Sequence, residues 1–115
     1  MRQSINELRQ AGSLLAEAEQ GLEEKNYLIT KNSSRSAIRH AALAVALTYV
    51  ELNEISSVRE GILLAMERMP SKLWIEALRL LEILRSLNEE DAHILVNLAR
   101  EAVEIASAIV ITESI

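Results

Sequence analysis

Residues 36–50 read SAIRHAALAVALTYV. Ile38, Ala41, Ala42, Val45 and Tyr49 recur at intervals of three and four, the spacing of one face of an α-helix. Alanine stands at positions 37, 41, 42, 44 and 46. Side chains this small let neighbouring backbones come close, so the stretch is expected to be a helix at the centre of a bundle. Its charge-free run, residues 41–50, is about half of a membrane span. Upstream, Asn32, Ser33 and Ser34 offer N-cap hydroxyl or amide groups, and the helix is expected to run from there to about Asn53.

The same period extends outward in both directions. Towards the N-terminus, Ser4 and Glu7 have the spacing of a capping box. Behind them Ile5, Leu8, Ala11, Leu15, Ala18 and Leu22 form a stripe that fades near Lys25 and Asn26, leaving residues 26–33 as a connector. Towards the C-terminus, Ser57 and Glu60 repeat the box ahead of Val58, Ile62, Ala65 and Met69, and then the chain meets Pro70. Proline removes an amide donor and disfavours helix at the residue before it, so the third helix breaks here. Ser71 can cap a new segment over residues 72–87. Asn88, followed by Glu89, Glu90 and Asp91, joins a cap residue to carboxylates at a positive helix end, and opens a last helix that runs to about Thr112. The expected fold is all-α: one domain, residues 1–115, forming an antiparallel up-and-down four-helix bundle. Its third helix is broken at Pro70, giving five helical segments.

Composition agrees with this reading. Half of the 115 residues are hydrophobic, yet only one Trp, two Tyr and no Phe are present. Three Gly and one Pro are too few for the corners of an all-β protein. The net charge of -5 disfavours a surface that coats nucleic acid. Without cysteine there is neither a disulfide frame nor a thiolate metal site. The opening residues are polar and periodic, unlike a secretory leader, and the chain is expected to be cytoplasmic and to need no cofactor.

Four groups of residues invite a chemical reading. Lys31, Ser33, Ser34, Arg35 and Arg39, with Lys25 nearby, would surround the start of the second helix, where free amides and cations together suit an anion or a nucleotide phosphate. The plainer reading is a solvated helix end. Arg35 and His40 have an Arg-x4-His spacing, and such a pair can hold a phosphate and move a proton in RNA cleavage. With nine Arg in the chain, chance alone readily produces that spacing. His93 with Asp91 and Glu90 is read as first-turn acids beside a histidine, since consecutive positions point different ways around a helix, and no metal is expected. Met66, Met69 and Trp74 around Pro70 are read as filling an irregular gap. No isolated glycine among Gly12, Gly21 and Gly61 builds a phosphate loop.

Two segments carry more apolar surface than a small chain needs for its own core. Residues 72–87 and 105–111 are apolar on most sides, and Leu73, Trp74, Leu80, Leu81, Leu84, Ile105, Ile109 and Ile111 are the candidate contacts of a partner.

The order of elements resembles the HEPN superfamily, including its archaeal relatives of the PaREP1 type. The resemblance rests on Leu15-Ala16-Glu17-Ala18-Glu19, on Leu22 through Tyr27, and on Ser36-Ala37 with Ala41-Ala42. It continues in Leu84-Arg85, in Glu89-Glu90-Asp91-Ala92, and in Leu98-Ala99-Arg100-Glu101-Ala102. It implies a four-helix bundle that pairs with itself or with a companion nucleotidyltransferase-like protein. The ribonucleases of that family carry Arg-x4–6-His near the start of the last helix. Here Arg85 and His93 stand there with seven residues between them, and Ser86 and Leu87 replace the aromatic and proline that often follow the arginine. The expected function is a non-catalytic, homodimeric helical interaction module. The alternatives are a small ribonuclease or toxin using Arg35 and His40, and a bundle that binds a small anion or nucleotide.

Overall fold

The structure, a computed structural model, describes residues 2–114, and every regular element among them is helical. Helix α1 spans Arg2–Glu23, α2 Tyr27–Tyr49, α3 Val58–Met66, α4 Trp74–Leu84 and α5 Ala92–Ser114. Short 3-10 turns at Leu52–Glu54 and Ser71–Leu73 lie on either side of α3. A helix of 23 residues is about 34 Å long, more than either short dimension of the 41 × 26 × 24 Å molecule, so α2 and α5 run along its long axis.

Helix α2 is central, packing against α1, α3, α4 and α5. Ala37, Ala41, Ala42, Ala44 and Ala46 are all completely buried, together with Ile38 and Val45. The alanines that decided the helix reading are thus the contact surfaces between helices. One cluster of buried side chains draws on all five helices, from Ala11 on α1 to Ile62 on α3, Leu80 and Ile83 on α4, and Ala99, Ala102, Ala106 and Ile109 on α5.

The turn between α1 and α2 is tighter than expected. Lys25 adopts a left-handed conformation with φ 60°. The Asn26 N–H donates to Gly21 O at 2.7 Å and the Lys25 N–H to Leu22 O at 3.1 Å, the two bonds of a Schellman end. Asn26 then caps α2, its side-chain oxygen accepting from Ile29 N–H at 3.3 Å. No connector over residues 26–33 exists, and Ser33 and Ser34 lie buried inside α2. Gly21 makes this turn possible: a Cβ there would sit 2.9 Å from Thr30 Oγ1 and 3.2 Å from the Thr30 backbone N.

Other boundaries also differ from the sequence expectation. Helix α4 spans Trp74–Leu84 rather than residues 72–87, and its N-cap position is Leu73, with Ser71 inside the preceding 3-10 turn. Helix α1 already begins at Arg2, and the Glu7 carboxylate, expected in a capping box with Ser4, instead meets His40. Helix α2 ends at Tyr49, ahead of the 3-10 turn. The cap of α5 is Asp91, not Asn88: its carboxylate accepts from His93 N–H at 2.8 Å and from Ile94 N–H at 3.2 Å. Ser57 does cap α3, accepting from Glu60 N–H at 3.2 Å, and the helix ends before Pro70 as expected. No helix among the described residues is long and apolar enough to cross a membrane.

Candidate functional site

The residues singled out for anion binding separate once the chain folds. Lys31 and Arg35 lie on the side of α2 that faces the α4–α5 connector. Arg35 Nε donates to Leu87 O at 2.7 Å, and its terminal nitrogen donates to Glu89 O at 2.8 Å and reaches Glu90 at 3.4 Å. Lys31 reaches the same carboxylate at 3.3 Å. A planar guanidinium with two carbonyls and a carboxylate in reach is a staple for the connector. Ser33 and Ser34 are buried, and the start of α2 lies at Tyr27, so the grouping of amides, hydroxyls and cations at one helix end does not form. Arg39 is exposed and belongs to a different groove.

His40 turns to α1, where its Nδ1 meets the Glu7 carboxylate. Arg35 and His40 therefore answer to different elements, the first to the α4–α5 connector and the second to α1. Asp91 and His93 stand 3.8 Å apart on the rim of an open cleft of about 390 Å³ lined by Tyr27, Lys31, Glu90, Asp91, Ala92 and His93. The rings of Tyr27 and His93 are 6.1 Å apart and tilted by 45°. Among the described residues no three His, Asp or Glu side chains converge as metal ligands would.

The other candidate surface lies on α4. Ala77, Leu80 and Ile83 face inward and are completely buried. Arg79 ties the flank of the helix to α5 through two bonds to Glu101, at 2.6 and 2.8 Å. These bonds hold the Glu101 carboxyl below its ordinary range. Trp74, Ile75 and Leu78 are left facing outward, 44, 79 and 50% exposed. The indole N–H of Trp74 donates to Met66 O at 2.9 Å, which fixes the ring against the end of α3. The candidate contacts Leu80 and Ile109 are 0% exposed and belong to the core, because each faces the other helices of the same chain. Leu73, Leu81, Leu84 and Ile105 are half-buried, and Ile111 is exposed. The sequence reading left Ile75 and Leu78 out of the contact set because a helix apolar on most sides does not reveal which side its own chain covers. The Arg79–Glu101 pair, 22 residues apart, carries no local sequence signal.

Comparison with protein-family models, with curated proteins and with solved structures finds no match.

Proposed function

We propose that this chain is a cytoplasmic, non-catalytic helical interaction module that pairs with a second copy of itself through the outer face of α4. One observation carries the reading: Trp74, Ile75 and Leu78 are exposed together within two turns of one helix. A contiguous apolar surface rimmed by polar residues is the usual mark of an interface. An aromatic side chain already held in place by a hydrogen bond loses little freedom on binding and suits an anchor position. In a two-fold pair the same strip would meet itself, helix against helix. The resemblance to the HEPN superfamily, in which the bundle pairs with itself or with a companion nucleotidyltransferase-like protein, supports the same reading. In that picture α3 and α4 together form one leg of an up-and-down four-helix bundle with α1, α2 and α5.

The test is a pair of charge insertions, Ile75→Glu and Leu78→Glu. Both positions are exposed, so each variant should keep the helical content and the thermal midpoint of the parent chain. Size-exclusion chromatography should show the parent eluting as a dimer and each variant as a monomer. Variants that elute with the parent would rule out this face. The ribonuclease reading is tested separately, by incubating the parent chain with RNA. Intact RNA removes that reading, and cleavage abolished by both Arg35→Ala and His40→Ala would replace ours with it.

A further inference from the structure

A groove of about 220 Å³ lies where α2, the start of α3 and the end of α4 meet, lined by Arg39, Val58, Arg59, Leu84, Arg85 and Leu87. Three of its six lining residues are arginines, drawn from three different helical regions, in a chain whose net charge is -5. All three are exposed. Among the described residues, the ion pairs that occupy Arg35, Arg68, Arg79 and Arg100 have no counterpart on Arg39 or Arg85, and Arg59 has only a loose 3.8 Å approach to its neighbour Glu60. Between the three arginines lies an apolar floor of Val58, Leu84 and Leu87. One part of the floor is anchored, because Leu87 is the residue whose carbonyl accepts from Arg35 Nε at 2.7 Å. Val58 and Arg59 also form the first turn of α3, so the positive end of that helix adds to the field.

We infer that this groove binds a small amphipathic phosphate, its anionic head on Arg39, Arg59 and Arg85 and its apolar body on Val58, Leu84 and Leu87. Planar guanidiniums match phosphate oxygens in pairs and are more weakly hydrated than ammonium groups. The volume falls below the ~300–1,000 Å³ of pockets for drug-sized molecules, so a small ligand is enough to fill the groove. The site is separate from the apolar strip at the start of α4 and does not depend on it.

The experiment is calorimetric titration of the full chain at low ionic strength with two probes, inorganic phosphate and phenyl phosphate. Phenyl phosphate should bind about tenfold or more tightly than inorganic phosphate, since only it reaches the floor. Arg39→Gln and Arg85→Gln should each weaken it by about tenfold or more. Lys72→Gln, an exposed cation outside the groove, should leave the affinity unchanged. Circular dichroism confirms that each variant is folded. Undetectable binding of phenyl phosphate, equal affinity for both probes, or binding indifferent to both arginine changes would each overturn the assignment.

Discussion

Arg35 shows how one side chain can be read for chemistry and used for architecture. Its contacts with Leu87 O, Glu89 O and Glu90 bridge more than fifty positions in sequence and anchor the connector between α4 and α5. Hydrogen bonds to a charged group are worth about 1.5–3 kcal/mol each when both partners are well placed. Arg35→Ala should therefore lower unfolding stability in urea by roughly 2 kcal/mol, and Arg35→Lys should recover only part of it because an ammonium lacks the fork. Glu54 and Arg68 form a second pair of this kind at the surface, at 2.8 and 3.1 Å. The Arg68 guanidinium, with help from the Glu51 N–H, holds the Glu54 carboxyl at about 2, against an ordinary value of 4.5. The folded chain thus binds this proton less tightly than the unfolded chain does. The stability from the contact is present above pH 4.5 and is lost as pH falls from there through about 2. Carboxyl NMR should find Glu54 ionised at pH 3.5, and Arg68→Gln should return its titration to the ordinary range.

At the scale of elements, alanine content and spacing made the helices legible, and the proline made the break legible. Helix ends were harder, because a cap is decided by which polar group wins a local competition. Asn26 won over Asn32, Ser33 and Ser34 once Lys25 took the left-handed conformation and closed α1. Serines buried at a helix contact serve as small residues, which a capping rule does not distinguish. Glu7 has the spacing of a capping box, but His40 lies 33 residues away and only folding brings it near. Glycines separate in the same way. No atom lies within 4 Å of a Cβ at Gly12, so Gly12→Ala should raise stability by about 0.5–1 kcal/mol through helix propensity alone. At Gly21 the added carbon meets the backbone of Thr30, which cannot yield as a flexible side chain does. Gly21→Ala should lower stability by about 1–3 kcal/mol. Chemical unfolding of the two variants in parallel checks both signs.

For the whole molecule, the sequence shows surplus apolar surface but not where it emerges. Leu80 and Ile109 turn inward among the other helices of the same chain, whereas among the described residues no helix covers Ile75 and Leu78. The same limit applies to charge: Arg39, Arg59 and Arg85 are far apart in sequence and share a groove only because α2, α3 and α4 converge. Four helices packed around an alanine-lined α2 make a compact support, and the α4 strip is the surface we propose it presents to a second copy. Stable pairs bury roughly 1,200–2,000 Å² in total, so Trp74, Ile75 and Leu78 would form the centre of such an interface rather than the whole of it. The most direct measurement is the mass of the parent chain in solution by multi-angle light scattering at micromolar concentration. A mass of twice the 12.8 kDa chain is the predicted result, and a single-chain mass that persists as concentration rises would contradict the account.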